Sequence, residues 1–313
     1  MKIIEYFTTD KKNTGDTGTG CRGRIKDIGR ISVERRYIFN MKKVLIKIGF
    51  AIAFVLLVNV MPAQVKAAPK RHEYGVFIGA DKLNYQKMGK YDTVVIDADY
   101  FSEYQIKKLK KAGCKRVYTY LNIGSIEEFR SFYDDYKYIA LDAYENWPGE
   151  YWMDISNKEW QDFCIRRAVK LKAKGVDGFF IDNCDVYYQY PYDDIYKGLC
   201  KTLSGIRKTG GKIIINGGDT FVTRCIQKKN SNIFDGVNQE TVYTSIVFEH
   251  HKFGKAHTEN RKYFTDYLKK VKKAKKQVYV LEYATKKGVI SKAKRYAKKN
   301  GWRIYVSSNL ELK

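Results

Sequence analysis

The chain has 313 residues, and 59 Lys and Arg against 34 Asp and Glu give it a net charge of +25. This length exceeds the roughly 150 residues of an average domain, but a single α/β barrel commonly needs about 250. A protein this basic has a positive electrostatic potential that attracts polyanions. The lysines lie mostly in segments with helical periodicity and without interleaved aromatics, so we expect a solvated outer face and no nucleic-acid partner.

The N-terminal part has the layout of a secretory signal peptide that begins at Met41. Two lysines follow Met41, an apolar stretch spans residues 44–60, and small residues precede Ala68. We expect cleavage after Ala67, which makes residues 41–67 the signal peptide and predicts a secreted or cell-surface protein of a bacterium. A retained membrane anchor is the competing interpretation, because about 17 apolar residues approach the minimum for spanning a bilayer.

Residues 1–40 precede this pattern and are polar, rich in Gly and Thr, and without periodicity. We interpret them as upstream translation or a disordered leader, with Met41 as the true start. Without residues 1–67 the chain keeps 46 basic and 29 acidic residues, a net charge of +17. Outside a cell, this charge suits an anionic cell-wall polymer as partner, and we expect membrane contact only through an uncleaved signal segment.

Five cysteines occur after residue 67, without a C-x-x-C pair. An odd number excludes a complete disulfide set, although one or two bridges stay open. The four histidines lack a zinc spacing such as H-E-x-x-H. We therefore expect neither a metal nor another cofactor.

Strand-like apolar runs alternate with amphipathic segments, which is the pattern of a parallel α/β domain. We predict eight strands, at Tyr74–Ala80, Thr93–Ala98, Arg116–Asn122, Val176–Asp182, Lys212–Asn216, Phe234–Gln239, Val278–Tyr283 and Arg303–Ser307. Predicted helices lie at Ser102–Ala112, Lys158–Lys174, Ile195–Thr209, Asn260–Lys276 and Ser291–Lys299. Eight such units favour one closed (β/α)8 TIM barrel over residues 68–313.

Two connections of this barrel depart from the simple pattern. The helix between the fifth and sixth strands, around residues 221–230, must be short. The segment Ser131–Ile155 is longer than a simple loop and rich in Tyr, Trp and acids. We expect it to form a wall over the barrel mouth.

The fourth predicted strand ends in two carboxylates, Asp182 and Asp185. An acid at the end of a buried strand faces a desolvation cost, so it is either paired or placed for chemistry. In a parallel barrel the carboxyl ends of the strands carry the active site. A structural Asp that caps the following turn is the alternative.

Further acids, amides and aromatic residues follow other strands and are predicted at the same rim. Together with Asp182 and Glu240, this set comprises Asp97, Asp99, Tyr120, Asn122, Trp152, Asp154, Asn183, Asp185, Tyr187, Asn216, Glu282 and Tyr283. Rings stack on the apolar faces of sugars, while amides and carboxylates bind hydroxyls. Two carboxylates across one bond are what glycoside hydrolysis needs. The rim therefore predicts a carbohydrate-cleaving site.

Three segments carry a resemblance to a known family: 118–130 (YTYLNIGSIEEFR), 147–155 (WPGEYWMDI) and 176–187 (VDGFFIDNCDVY). In this order they resemble the motifs of glycoside hydrolase family 114. That family comprises endo-α-1,4-polygalactosaminidases and relatives described as spherulin-4-like or cysteinyl-tRNA-synthetase-related proteins. The resemblance runs over most of residues 74–310 and implies a (β/α)8 barrel and an endo-acting hydrolase of an amino-sugar polysaccharide.

By this resemblance Asp182 takes the position of the catalytic Asp, and Glu240 takes that of the catalytic Glu after the sixth strand. We assign Asp182 as nucleophile or base and Glu240 as proton donor. Asp97, Asp99 and Asp154 would bind the sugar and could pair with the ammonium of galactosamine. One departure concerns substrate choice: many members have an Asp two residues before the Asp182 position, where this chain has Phe180.

Several alternatives stay open at this point. A secreted barrel that binds polysaccharide without cleaving it is compatible with Phe180. Asp97 and Asp99 could form buried salt bridges, and Glu282 could point into the helix layer. A serine or cysteine hydrolase is not supported, since the chain has no G-x-S-x-G elbow and no strand-end Cys beside a His.

Overall fold

The computed structural model describes residues 71–145, 147–247 and 252–313. The predicted leader, residues 1–40, and the predicted signal peptide, residues 41–67, lie outside the described residues. None of the helices in these ranges combines the length and the hydropathy that a membrane-spanning helix needs.

The described part of the chain contains a large parallel sheet and two small antiparallel ones. The strands are β1 (His72–Phe77), β2 (Tyr91–Ile96), β3 (Arg116–Asn122), β4 (Ser125–Glu127), β5 (Ala140–Ala143), β6 (Glu150–Met153), β7 (Gly178–Asp182), β8 (Lys212–Asn216), β9 (Gly236–Glu240), β10 (Thr244–Val247), β11 (Lys252–Lys255), β12 (Gln277–Tyr283) and β13 (Arg303–Ser307). The large sheet has the order β1-β2-β3-β7-β8-β9-β12-β13 with every pair parallel. The last strand returns beside the first, where the rings of Phe77 and Tyr305 lie 5.3 Å apart. These eight strands confirm the predicted (β/α)8 barrel.

Helices follow the barrel strands and cover the outside of the sheet. They are α1 (Tyr85–Met88), α2 (Glu103–Lys111), α3 (Tyr133–Tyr136), α4 (Lys158–Ala173), α5 (Val186–Gln189), α6 (Asp193–Arg207), α7 (Asp219–Gln227), α8 (Thr258–Lys273) and α9 (Lys287–Asn300). The five predicted helices correspond to α2, α4, α6, α8 and α9, and the predicted short helix is α7. A capping box between Ser102 and Gln105 begins α2, as its sequence pattern indicates.

The strand alternation divides the core into two layers. In β7, Phe179 and Ile181 pack against the helices, whereas Phe180 packs in the barrel interior with Tyr74, Tyr118 and their neighbours. Side chains two residues apart in a strand lie on the same face. Asp182, two residues after Phe180, therefore continues the inward row and emerges at the carboxyl end of the barrel.

The same alternation explains the phenylalanine that departs from the family pattern. Phe180 is 1% exposed and contributes to the apolar and aromatic filling of the barrel. Its position lies one layer below Asp182, so its ring supports the floor of the site. Buried rings of this size contribute strongly to core packing.

Two antiparallel sheets rise beside the barrel mouth. Strands β4, β6 and β5 form the first. Strands β5 and β6 lie within the segment Ser131–Ile155 that was predicted to be a wall, whereas β4 precedes it. Strands β10 and β11 pair as a second sheet that the sequence did not predict. The first sheet places Glu127 and Glu150 at the cavity described below.

All five cysteines of the described residues are free. Four of them are buried and one, Cys200, is partly exposed. Buried thiols act as small apolar groups. The described fold therefore depends on packing and hydrogen bonds without a disulfide.

Candidate active site

A cavity of about 1020 Å³ opens at the carboxyl ends of the barrel strands. This is the end at which (β/α)8 enzymes carry their active sites. Its volume matches the upper end of ligand pockets, about 1,000 Å³, and leaves room for more than one sugar ring. Eight of the predicted site residues line it: Asp97, Tyr120, Asp182, Asn183, Asp185, Asn216, Glu240 and Tyr283.

Asp182 and Glu240 meet at one amide. Asn216 Nδ2 donates to Asp182 Oδ1 at 2.9 Å and to Glu240 Oε1 at 3.0 Å. Two oxygens that share one donor cannot lie more than about 5.9 Å apart at these distances. The two acids therefore face the same space, although they lie on β7 and β9 with β8 between them.

A row of hydrogen bonds fixes the orientation of this amide. Asn238 Nδ2 donates to Asn216 Oδ1 at 2.7 Å, and Tyr74 OH donates to Asn238 Oδ1 at 3.1 Å. Since Asn216 Oδ1 accepts the hydrogen bond from Asn238, Asn216 Nδ2 must face the two acids. Tyr283 OH donates to Glu240 Oε2 at 2.7 Å, so both oxygens of Glu240 accept a hydrogen bond.

The surroundings of these acids raise their pKa values. Burial is the main cause of the rise of the Asp182 pKa to about 8, and the negative charges of Glu240 and Glu150 add to it. Burial also raises the pKa of Glu240, against hydrogen bonds from Asn216 and Tyr283 that lower it. A carboxyl group that holds a proton near neutral pH can act as an acid or base.

Asp185 lies beside this pair and is held by a turn of two glycines. Gly218 N donates to Asp185 Oδ2 at 3.0 Å, and Gly217 and Gly218 have φ values of +64° and +65°. A Cβ on Gly217 would lie 2.5 Å from the same carboxylate oxygen. Glycine is needed there because of both the left-handed backbone and the close approach. Burial raises the pKa of Asp185 to about 6.

Glu150 is a cavity carboxylate that the sequence analysis did not select. Its Oε1 accepts from Asn183 Nδ2 at 2.8 Å, from Asn122 Nδ2 at 3.1 Å and from Ser125 Oγ. Burial raises its pKa. Asn183 reaches it from a left-handed backbone conformation with φ of 61°. Asn122, which does not line the cavity, thus contributes by holding Glu150.

Arg130 occupies another part of the cavity wall and pairs with three carboxylates. Its guanidinium lies 2.8 Å from Asp97, 3.3 Å from Asp99 and 3.3 Å from Glu127. Tyr120 OH donates to Glu127 at 3.2 Å. Asp97 and Asp99 therefore form the salt bridges that the sequence analysis left open as their alternative role.

The structure places five further predicted residues away from the cavity lining. Asp99 pairs with Arg130 and Arg167, and Asp154 accepts from Ser156 N at 2.9 Å as a local turn cap. Trp152 is 5% exposed and packs on Tyr144, with ring centroids 4.1 Å apart. The remaining two residues, Tyr187 and Glu282, are described next.

Tyr187 and Glu282 have structural contacts. Arg224 Nη1 donates to Tyr187 OH at 2.5 Å behind the cavity lining. Glu282 is 1% exposed and accepts from the backbone N–H groups of Tyr243 and Thr244, both at 2.8 Å. Burial raises the pKa of Glu282 to about 7. The carboxylate of Glu282 therefore anchors the chain that leads into β10.

Sequence reasoning missed several residues of this site. Asn238 and Tyr74 lie on barrel strands with the inward alternation, a signal that could have selected them. Glu150 lies on a short antiparallel strand, and Arg130 lies in a loop beyond β4. Their contacts depend on how the wall folds over the barrel, which no local pattern indicates.

Comparisons with solved structures agree with this architecture. The glycoside hydrolase domain of PelA from Pseudomonas aeruginosa superposes with a TM-score of 0.66 at 16% identity, covering 78% of this chain and 96% of that domain. Aspergillus fumigatus Ega3, in a complex with galactosamine, superposes with a TM-score of 0.60 at 17% identity, covering 82% of this chain and 97% of Ega3. At these identities the likeness shows the fold.

Curated relatives match shorter stretches. An uncharacterized protein of Deinococcus radiodurans is 23% identical over 140 residues, which is 41% of this chain and 46% of that protein. Uncharacterized protein MJ1477 of Methanocaldococcus jannaschii is 30% identical over 93 residues, which is 28% of this chain and 26% of that protein. The chain thus matches less than half the length of either relative.

A family-wide comparison covers nearly all of the barrel. Residues 60–312 match the glycoside-hydrolase family GH114. This range includes the cavity and both acids that share Asn216. The match confirms the resemblance seen in the three sequence motifs. The chain therefore belongs to glycoside hydrolase family GH114.

Proposed function

We propose that this protein is an endo-acting hydrolase of α-1,4 linkages in a galactosamine-containing polysaccharide, with Asp182 and Glu240 as the catalytic pair. The observation that carries the proposal is the shared Asn216 donor, which holds both carboxylates at one end of one cavity. The family and the fold shared with galactosamine-bound Ega3 support the substrate class. A cavity of about 1020 Å³ leaves room for more than one sugar unit and therefore suits internal cleavage of a chain.

The assigned roles follow from the free lone pairs of the two acids. Asp182 Oδ1 is held by Asn216 and by Asn183 N, while no described residue donates to Oδ2. This free oxygen attacks the anomeric carbon as Glu240 gives its proton to the leaving oxygen. Water then releases the sugar from Asp182, with Glu240 as base. The Asn216 contacts limit the separation of Asp182 Oδ1 and Glu240 Oε1 to at most about 5.9 Å. This limit is compatible with the separation of about 5–5.5 Å between the carboxyl groups of retaining enzymes.

The raised pKa of Asp182 needs an explanation, because a nucleophile must be ionised. Burial raises the pKa values of four cavity acids, Asp182, Asp185, Glu150 and Glu240, and the charge of Glu240 further raises those of Asp182 and Asp185. None of these four acids forms a salt bridge with a described residue. A cationic sugar entering the cavity supplies the missing charge. Its ammonium lowers the pKa of Asp182 and ionises the nucleophile on substrate binding.

An acidic cavity on a basic protein suggests a second partner outside the cavity. Residues 258–313 contain 17 Lys and Arg and 4 Asp and Glu, so they carry +13 of the +17 expected after residue 67. They include α8 and α9, which lie side by side where Lys272 Nζ donates to Asn300 O at 2.9 Å. We infer that this basic helix pair holds an anionic cell-wall polymer of a bacterium.

Export is part of the same proposal. A cell-wall polymer and a polysaccharide substrate both lie outside the cytoplasm, and the signal-peptide pattern of residues 41–67 supports secretion. N-terminal sequencing of protein recovered from the culture medium should find Ala68 as the first residue. Recovery of the chain only from the cytosol would contradict export.

The function is tested by incubating the purified protein with a panel of defined polymers. The panel contains deacetylated and N-acetylated α-1,4-galactosamine polymers and a galactose polymer, and released reducing ends are measured. We expect new reducing ends from a galactosamine polymer, with products of mixed length. Binding without cleavage across the panel would favour the non-catalytic carbohydrate-binding barrel instead.

A further inference from the structure

Helices α6 and α7 each carry a cysteine on the face where the two helices contact one another. Tyr196 and Cys200 lie four residues apart on α6, and Phe221 and Cys225 lie four residues apart on α7. Residues four apart share one face of a helix. The rings of Tyr196 and Phe221 lie 5.6 Å apart between the helices. One turn further along each helix, the same face carries Cys200 and Cys225.

Asn230 connects the two cysteines. Its side-chain Nδ2 donates to Cys200 Sγ at 3.3 Å, and its backbone N–H donates to the carbonyl oxygen of Cys225 at 2.8 Å. The Cys225 thiol also donates a hydrogen bond to Cys200. The two sulfur atoms therefore lie within hydrogen-bonding distance, although the whole of β8 separates them in the sequence.

The two thiols differ in exposure and in chemical reactivity. Cys200 is partly exposed, whereas Cys225 is fully buried. The hydrogen bond from Cys225 lowers the pKa of the Cys200 thiol, and Asn230 and the positive charge of Arg224 lower it further, against the effect of burial. The thiolate is the nucleophilic form of cysteine. Cys200 is therefore the thiol with which an oxidant from solvent reacts first.

The other three cysteines of the described residues have a different environment. Cys114 and Cys164 are buried, and burial raises the pKa of both thiols. Cys184 is fully buried, and burial raises its pKa as well. Of the described cysteines, Cys200 alone combines exposure to solvent with a lowered pKa.

We propose that Cys200 and Cys225 close into a disulfide that joins α6 to α7 and stabilises the fold when the protein meets a disulfide oxidant. The Cys200 thiolate attacks one sulfur of the oxidant, so a mixed disulfide forms and one thiolate leaves. Cys225 gives its proton to the departing thiolate and attacks Cys200 Sγ, which breaks the mixed disulfide and releases the second thiolate. The two protein thiols lose two electrons, and the oxidant is reduced to two thiols.

The disulfide encloses part of the scaffold of the cavity. The segment between the two cysteines contains β8 with Asn216 and the turn of Gly217 and Gly218 that holds Asp185. A bridge across this segment restricts the unfolded chain and thereby favours the folded one. Disulfides persist outside the reducing cytoplasm. The oxidised protein should therefore unfold at a higher temperature than the reduced protein.

The proposal is tested on the purified, reduced full chain in native buffer with oxidised glutathione. The remaining thiols are alkylated under denaturing conditions, and tryptic peptides are analysed by mass spectrometry. We expect the peptide of residues 198–201 to be joined to the peptide of residues 225–228. This measurement on the wild type does not depend on how a variant folds. A lasting glutathione adduct on Cys200, a bridge from Cys200 to another cysteine, or no reaction of the folded protein would overturn the proposal.

Two variants test the order of the steps. Cys225→Ala should stop at the mixed disulfide and accumulate glutathione on Cys200 at least about tenfold more than the wild type. Cys200→Ala should form neither an adduct nor a bridge, because Cys225 is fully buried. Cys164→Ala, which removes a buried thiol of α4, is the matched control and should form the bridge as the wild type does. An adduct on Cys225 in Cys200→Ala would contradict the role of Cys200 as the first nucleophile.

Thermal unfolding measures the effect of the bridge on stability. The Tm of the oxidised wild type should exceed that of the reduced wild type by about 5–10 °C, and dithiothreitol should reverse the gain. The Tm of Cys225→Ala should change by less than about 2 °C on addition of oxidised glutathione. Equal Tm values of the oxidised and reduced wild type would overturn the stabilising role of the disulfide.

Discussion

Asn216 couples the two candidate catalytic acids through a single nitrogen. Its contacts at 2.9 and 3.0 Å hold Asp182 and Glu240 at one donor, although the two acids lie on β7 and β9. A misplaced catalytic group costs large factors in rate because reacting atoms must be aligned. The amide is therefore a positioning residue whose effect on rate should exceed its effect on stability.

Asn216→Ala tests this positioning. We expect kcat to fall about 100-fold, since both carboxylates lose a fixed donor and repel each other into new orientations. The activity should also shift along the pH axis, because the amide no longer lowers the pKa of either acid. Asn232→Ala, at an exposed position, is the control. A variant with normal kcat and a normal pH profile would show that the bridge does not matter.

The pKa of Asp182 predicts a pH-dependent stability. The ordinary pKa is 3.8, and the folded protein raises it to about 8. Between these values the folded chain holds a proton that the unfolded chain has released, so stability falls as pH rises. Asp182→Asn removes this loss, and its Tm should exceed that of the wild type by about 2–4 °C at pH 8.

The gain should shrink toward pH 4, because the unfolded wild type begins to bind the proton as the pH approaches its pKa of 3.8. Asp194→Asn serves as control, since Asp194 is highly exposed. Thermal unfolding at pH 4, 6 and 8 provides the measurement. A constant difference between Asp182→Asn and wild type over this range would contradict a raised pKa.

At the scale of elements, strand alternation predicted much of the site. Asp182, Asn216, Glu240 and Tyr283 each end an inward row of a barrel strand, so identifying the strand was enough to place the side chain. Glu282 has the opposite parity and lies away from the cavity lining. The roles of Glu150 and Asn122 depend on β6 crossing the barrel mouth. The hydrophobic pattern of the sequence does not indicate this tertiary arrangement.

The close approach of the β3–β4 turn to the end of β7 is one such tertiary contact. A Cβ on Gly124 would lie 1.7 Å from the backbone oxygen of Asn183. Gly124→Ala must displace the chain beside Asp182, so we expect a loss of about 1–3 kcal/mol in unfolding free energy and a clear loss of activity. Chemical denaturation and reducing-end assays measure both.

Gly288→Ala is the matched control for this substitution. Gly288 lies in α9 with nothing within 4 Å of an added Cβ. Alanine there should leave activity unchanged and stabilise by up to about 1 kcal/mol through its helix propensity. Similar effects of the two alanines would show that the approach of Gly124 to Asn183 is not tight.

At the scale of the whole molecule, charge is separated between an acidic cavity and a basic C-terminal face. The family match and the closed sheet order were predictable because they follow from ordered motifs and repeated βα units. The separation of charge was not predictable from the sequence, because the basic face depends on α8 and α9 lying side by side. Under our proposal, this separation of charge would allow one protein to accept a cationic sugar and to adhere to an anionic polymer.

The wall-polymer proposal predicts that adhesion and hydrolysis can be separated. Replacing Lys273, Lys294 and Lys298 with Gln should weaken binding to a phosphate-rich wall polymer and reduce its salt dependence, because exposed charges act through screened attraction. The control variant has Gln in place of Lys90, Lys107 and Lys111, which removes the same amount of charge from another part of the surface. Sedimentation with purified wall polymer measures binding. Equal losses in both triple variants would indicate a diffuse charge effect.

We propose that Asp182 and Glu240 act together on one glycosidic bond. Proton NMR of a deacetylated α-1,4-galactosamine polymer during digestion reports both new reducing ends and their anomeric form. We expect the wild type to release the α-anomer first. The rate of release by Asp182→Asn and by Glu240→Gln should be at least about 1,000-fold lower, although both variants keep the fold. Release within about tenfold of the wild-type rate by either variant would contradict the claim.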